Sequence, residues 1–392
     1  MDLYVLDSQL RRTEIVDVYK SLIWTERYSE YGDFELVVHD SPTIRNLLVP
    51  DTKVVILESD RVMVVETIEG HEDDEGNDTV TITGRSLELL LEQRAAMPAM
   101  ASLTTRSKWE VTGVPGVIAR NIFKDVCVDG DLDSGDILPY YHTGTITPAG
   151  NIPEPSESVT LALDPADLYT SEKKICDTYR LGFRIVRNAD LSELYFEVYT
   201  GNDRTSGQAL KSPVIFSKAL DSLSNITELT SLAAYKNVAY VFAKNGSLKV
   251  YADNVDESVS GFDRRVLIVN ANDIELPAGA ALNAAMLQRG KEELANNRVA
   301  IAFDGEIPQN SSYVYGRDYG LGDLVELRDT TGKINTMRVT EQIFISDKEG
   351  VRSYPTLTFD LLITPGTWLA WPAVQTWREV PDDTSHEWAD LN

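Results

Sequence analysis

Short apolar-rich runs recur through residues 1–84, at Leu3–Asp7, Glu14–Tyr19, Phe34–His39, Lys53–Leu57, Arg61–Ile68 and Thr79–Thr83. Within Arg61–Ile68 and Thr79–Thr83 apolar and polar positions alternate, as strands with one buried face require. Turns fall at Tyr31-Gly32-Asp33 and in the polar run Gly70–Asp78. Ser86 then predicts an N-cap for a helix over Leu87–Arg94, with Leu87, Leu90 and Leu91 on one face.

The middle of the chain changes period. Residues 97–105 read as a loop, and Val114–Val126 as an amphipathic helix opening near Pro115. Residues 129–158, rich in Asp, Gly, Pro and Ser, predict a long surface loop. Asp167–Tyr179 predicts a second helix, and Leu181–Arg187 with Leu194–Tyr199 a hairpin. Strand patterning returns at Val214–Ser217, Lys236–Ala243, Ser247–Ala252 and Arg264–Val269, and Asn245-Gly246 is a strong hairpin turn. A helix over Ala278–Asn296 precedes a last β block at 299–363.

One pattern occurs twice. Near the start, Leu22-Ile23-Trp24 leads through Gly32-Asp33 into Phe34-Glu35-Leu36; near the end, Tyr319-Gly320-Leu321-Gly322-Asp323 leads into Leu324-Val325-Glu326-Leu327. The order of elements over Asp51–Thr83 matches that over Asp323–Asp360, with Val64-Val65-Glu66-Thr67-Ile68 answered by Val339-Thr340-Glu341-Gln342-Ile343. Either two strand-rich segments look alike by chance or a small barrel is duplicated. The expected class is β-rich α+β, two related small β-barrels joined by mixed α/β domains. The expected division is a first barrel with a C-terminal helix at 1–95, a mixed α/β region at 96–235, hairpins plus a helix at 236–298, a second barrel at 299–365 and a Trp-rich tail at 366–392.

Composition narrows the function. An apolar share of 43% in 392 residues supplies a sizeable core. A net charge of −26 argues against binding nucleic acid or anionic lipid, since both rest on Lys and Arg. Two cysteines far apart, Cys127 and Cys176, make no disulfide framework and read as buried small hydrophobes. The N-terminus has no signal-peptide pattern and no window reaches 18 apolar residues, so no membrane insertion is expected.

Catalytic chemistry finds little support. The four histidines are scattered, and zinc, phosphate-loop and nucleophile-elbow motifs are missing. Asp129, Asp131 and Asp133 could ring a calcium ion, but Ser134 and Tyr140 stand where an EF-hand needs Gly and Glu; a solvated turn is the other reading. Among 62 Asp and Glu no pair for glycoside hydrolysis can be singled out. No cofactor and no enzymatic activity are expected. Trp368, Trp371 and Trp377 lie among Pro365, Pro372 and Pro381, where regular structure should fail. Such a tail either packs back on its own domain or docks on a partner through Trp anchors.

The run Ile23-Trp24-Thr25-Glu26-Arg27-Tyr28, then Gly32-Asp33-Phe34-Glu35-Leu36, then Thr83-Gly84-Arg85-Ser86-Leu87 and Leu91–Arg94, resembles the tail-hub proteins of long-tailed phages. It is most similar to the minor tail proteins of phages and prophages of Gram-positive bacteria. Gly322-Asp323 and the strands after it resemble that family's second barrel. The resemblance implies a baseplate-hub-like fold and a homotrimer in which three chains set six barrels around a channel. It implies a place in the virion at the tail tip, assembly in the bacterial cytoplasm, and DNA that passes without being bound. The implied neighbours are the distal tail ring, the tape measure and receptor-binding or fibre proteins. Too little chain follows the last β block for a lytic domain. The rival expectations are a tail-borne cell-wall glycoside hydrolase and a carbohydrate-binding receptor module.

Overall fold

Alternation in the first block drives seven strands around one core: β1 (Leu3–Leu6), β2 (Arg12–Val16), β3 (Ser21–Arg27), β4 (Asp33–His39), β5 (Lys53–Ile56), β6 (Met63–Glu72) and β7 (Asp78–Ser86). Leu22 and Trp24 of β3, Phe34 and Leu36 of β4, and Val80 and Ile82 of β7 all turn inward onto Leu3, Val54 and Met63. Helix α1 (Pro42–Leu47) adds Ile44 and Leu47 to this core; the Ser41 hydroxyl caps it by accepting from the Ile44 amide at 3.2 Å. The computed structural model describes residues 1–359 except 73–77, 100–107, 143, 189–192, 221, 253–254, 275, 298, 307–312 and 329–333, and only the backbone of 225–228, 230, 300–306 and 359.

Ser86 does not cap the helix after it. Leu87–Gln93 is a 3-10 helix, and the Ser86 hydroxyl instead accepts from the Gly32 amide at 2.8 Å. That bond ties the first Gly-Asp turn to β7, and Leu87, Glu88, Leu89 and Leu91 are the buried positions. The middle region follows with β8 (Trp109–Gly113), α2 (Pro115–Phe123) prolonged by a π turn at Lys124–Val128, β9 (Tyr141–His142), β10 (Val159–Leu163), α3 (Leu168–Tyr179), β11 (Gly182–Asn188) and β12 (Glu193–Tyr199). Asp167 starts α3 by accepting from the Thr170 amide at 2.7 Å. The long loop is stitched to this body rather than free of it: Leu138 and Tyr141 are buried, β9 pairs with β12, and Glu197 accepts from the amides of Ile146 and Thr147, both at 2.8 Å.

The chain then forms β13 (Ile215–Ser217), β14 (Ser224–Ser231), β15 (Val238–Ala243), β16 (Gly246–Tyr251), β17 (Val266–Asn270), α4 (Ala280–Ala295), β18 (Ala300–Glu306), β19 (Leu324–Arg328), β20 (Ile334–Asp347) and β21 (Gly350–Phe359). Strands β15–β17 and α4 build a core of their own from Ala239, Val241, Val250, Val269, Leu282 and Met286. The other strands continue the first sheet, because β3 pairs antiparallel with β20 from Arg27↔Glu341 to Ser21↔Asp347.

The two β blocks repeat one strand order. β3-β4-β7-β6-β5 is answered by β14-β18-β21-β20-β19, every neighbour antiparallel in both. Both long strands slip register at the same place: between Val65 and Thr67 in β6, and between Val339 and Glu341 in β20. Val65 and Val339 donate to the carbonyls of Thr52 and Asp323, at 2.8 and 3.0 Å, at the mouths of β5 and β19. Val65, not Val64, is therefore the counterpart of Val339, and the echo seen in the sequence runs one residue out of step. A one-residue step turns a strand over: Val65 faces the first core and Val64 the middle one.

Candidate functional site

The motifs that stand out in the sequence meet where the β blocks and the middle region interlock. The Arg27 guanidinium bridges Asp33, in the first Gly-Asp turn, and Glu341 of β20, whose Oε2 lies 2.7 Å from Nε. Gly322 of the second turn has φ +85°, and a Cβ there would stand 2.5 Å from the Tyr28 ring. Asp323 accepts from the Asn202 amide at 2.7 Å, from Arg204 Nε at 3.0 Å and from the Gly320 amide at 3.1 Å. Burial outweighs these bonds and holds its carboxyl above the ordinary aspartate value. Arg338 is buried and donates to the carbonyls of Thr200 at 2.8 Å and Gly322 at 2.6 Å, with its guanidinium 5.3 Å from the centre of the Tyr28 ring.

A second lock lies nearby. Arg61 and Glu88 form an ion pair with both side chains almost wholly out of solvent. Arg61 also donates to the Arg27 carbonyl at 2.9 Å, and Glu88 accepts from the Ile185 amide at 2.8 Å. Burial alone would depress Arg61, but the Glu88 charge holds it above its usual value. These contacts tie strands of the two β blocks to the middle region, while Glu88 Oε2 is buried without a hydrogen-bond partner.

The face of the joined sheet turned away from the first core carries a polar patch beside Ile23, Val37, Ile343 and Ile345, and at Val64 it packs on the middle core. Asp33, Glu35, Glu66, Thr67, Thr83 and Arg85 line a shallow recess of about 390 Å³ there. Three arginines on this face are paired: Arg27 as described, Arg85 by Glu66 at 2.8 Å and Glu92 at 2.9 Å, and Arg352 by Asp347 at 2.6 Å and by Glu349. Glu35 adds charge beyond these pairs, so this patch carries more acidic than basic groups.

The candidate calcium residues are not gathered. Asp129 pairs with Lys124, and Asp133 accepts from the Gly135 amide at 2.8 Å. Among the described residues no group of three or more His, Cys, Asp or Glu could hold a metal ion. Trp368, Trp371 and Trp377 lie outside the described residues. Cys127 and Cys176 are both buried, and burial pushes the Cys127 thiol up to about 12, far from a reactive thiolate. Reading by pattern missed Arg61, Glu88, Arg338 and Glu172. Their one sequence signal is a charged residue inside an apolar run, as Glu88 is within Leu87–Leu91.

The family described as Siphovirus ReqiPepy6 Gp37-like protein matches residues 2–357. The fold is similar to that of the 43 kDa tail protein of prophage MuSo2 from Shewanella oneidensis, with a TM-score of 0.52 at 13% identity, covering 91% of this chain and 97% of that one. It is also similar to the tail protein from Neisseria meningitidis MC58, with a TM-score of 0.56 at 11% identity, covering 92% and 96%. No curated protein matches. No helix among the described residues is long and apolar enough to cross a membrane. With the match running from β1 through most of β21, this chain belongs to the Siphovirus ReqiPepy6 Gp37-like family.

Proposed function

We propose that the chain is a structural protein of a phage tail, a trimeric hub at the distal end of the tail tube that organises host-attachment proteins and forms a conduit for the genome. The carrying observation is the repeat: one chain presents the same five-strand order twice, fused through β3 and β20. Three such chains would set six related units around an axis and meet a six-fold tube without a change of fold. In this reading 1–95 and 299–365 are the two barrels, 96–235 and 236–298 are insertions that carry outward contacts, and 366–392 is a docking tail. The neighbours are the distal tail ring, the tape measure and receptor-binding or fibre proteins.

The polar patch supports the conduit. A wall whose arginines are already paired and whose surplus charge is negative repels phosphate, so DNA passes without sticking. Glu35→Gln with Glu66→Gln frees Arg85 from one partner and removes surplus charge. The expected result is tails that assemble at normal yield but release DNA more slowly in a receptor-triggered ejection assay, with added salt restoring the rate. Unchanged ejection at low salt would remove the acidic wall from the account.

Imaging purified particles with this chain labelled tests the location, and its mass in solution tests the trimer. A monomer that clears cell walls would overturn the hub in favour of an enzyme. Trp368, Trp371 and Trp377 are proposed as the docking anchors. Deleting 366–392 removes no residue of β1–β21. The truncated chain should fold with unchanged stability while tails lose the next component. Complete infectious tails at normal yield would show that the segment has no docking role.

A further inference from the structure

The repeat contains one strand pairing that is made and one that is open. In the first block β3 has β4 on one side and β20 on the other. Its counterpart β14 has β18 on one side and, among the described residues, ends the sheet. The second half of β20, Glu341–Asp347, is covered by β3. The matching half of β6, Thr67–Glu72, pairs with β7 alone, since β5 reaches only Met63 and Val64.

Burial follows this difference. Gln342, Phe344 and Ser346 of β20 are buried, whereas on β6 every position from Thr67 to Glu72 is exposed except half-buried Ile68. Thr25 of β3 is 4% exposed, but its counterpart Leu229 on β14 is 53% exposed, with Leu232 exposed close by. This open edge carries the exposed Leu229 and no Lys, Arg or Pro between Ser224 and Ser231; its guards against strand pairing are Glu228 and the register shift before Thr227.

We infer that β14 of one copy of this chain pairs antiparallel with Thr67–Glu72 of β6 in the next copy, repeating between chains the β3–β20 joint made within each chain. The register follows from the internal one. Phe34 and Phe303 correspond, because they stand opposite Gly84 and Leu357, which themselves stand opposite Val65 and Val339. Trp24 then matches Glu228, and Thr67 matches Glu341. Carrying the pairs Arg27↔Glu341 and Thr25↔Ile343 across sets Ser231 opposite Thr67 and Leu229 opposite Glu69 of the neighbour. The contact is head-to-tail, with different surfaces on the two sides, so it is satisfied throughout only in a closed ring. It rests on the ring assembly proposed above and specifies its interface.

The test uses the full chain carrying Leu229→Cys and Glu69→Cys, with sedimentation run in parallel. Directly opposed Cβ atoms lie about 4.5–5.5 Å apart, within reach of a disulfide after small adjustment. The native cysteines are buried and give little background. Copper–phenanthroline oxidation should turn the double variant into chain-to-chain linked species, and Leu229→Cys paired with Lys53→Cys should link poorly. Leu229→Glu should abolish assembly by facing Glu69, and adding Glu69→Lys should restore it. An oligomer that forms but does not link at this pair overturns the edge pairing and leaves the hub standing. A chain that stays monomeric and unlinked overturns both.

Discussion

Arg61→Met is expected to destabilise the protein by about 3–5 kcal/mol, because it leaves the Glu88 carboxylate buried without its cation. Glu88 would keep the Ile185 amide, a single neutral donor, against the full cost of desolvating a charge. The pair joins the strand-rich first block to β11 of the middle region, so the loss should appear as earlier unfolding of both. Glu88→Leu alone should cost a similar amount, by stranding Arg61 with the Arg27 carbonyl as its remaining partner here. The double variant should recover most of the loss, since a buried ion pair replaced by apolar groups of similar size is often neutral or better. Denaturant unfolding of the four proteins gives the coupling directly. Single variants that each cost under about 1 kcal/mol would place the pair in the range of surface bridges and refute its role as a lock.

Much of the fold was legible because its strands have one wet face. Thr79–Thr83 lies within β7, and Arg61–Ile68 overlaps β6 from Met63 onward; Asn245-Gly246 turns β15 into β16; Asp167 caps α3. Ser86 misled because a serine before a leucine run has the composition of a cap, while its hydroxyl is taken by Gly32, 54 positions away in the chain. The internal echo was visible but out of step, since Val64 and Val65 are both buried and a bulge leaves no mark in an alternating pattern. The anchors of the long surface loop left no mark in its own residues, because Glu197 and β12 lie far along the chain. The excess of acidic groups was legible in the net charge of −26, but the pairing of Arg27, Arg85 and Arg352 needed coordinates.

Glu172 offers the clearest pH effect. It lies on the inward face of α3 with Leu168, Ile175 and Cys176, and neither carboxyl oxygen has a hydrogen-bond partner in the protein. Burial pushes its pKa well above the glutamate range. Below the unfolded value, about 4.3, the group is neutral in both states and stability is unaffected by it. As pH rises past that point the unfolded chain gives up the proton and the folded chain keeps it. Stability therefore falls with rising pH until the folded pKa is reached. Glu172→Met keeps the side-chain length and removes both the ionisation and the two orphaned oxygens. Relieving an unsatisfied buried polar group is worth about 1–3 kcal/mol, and the pH-dependent part adds to this. The variant should melt higher than the parent at pH 7, by a margin that widens as pH rises above the unfolded value of about 4.3. Cys176, one turn on, has its thiol pushed well above the ordinary value by burial, so it gains no charge over the range in which Glu172 is compared. A margin that is constant with pH, or a variant less stable than the parent at pH 8, would mean that Glu172 is ionised and paired in the folded chain.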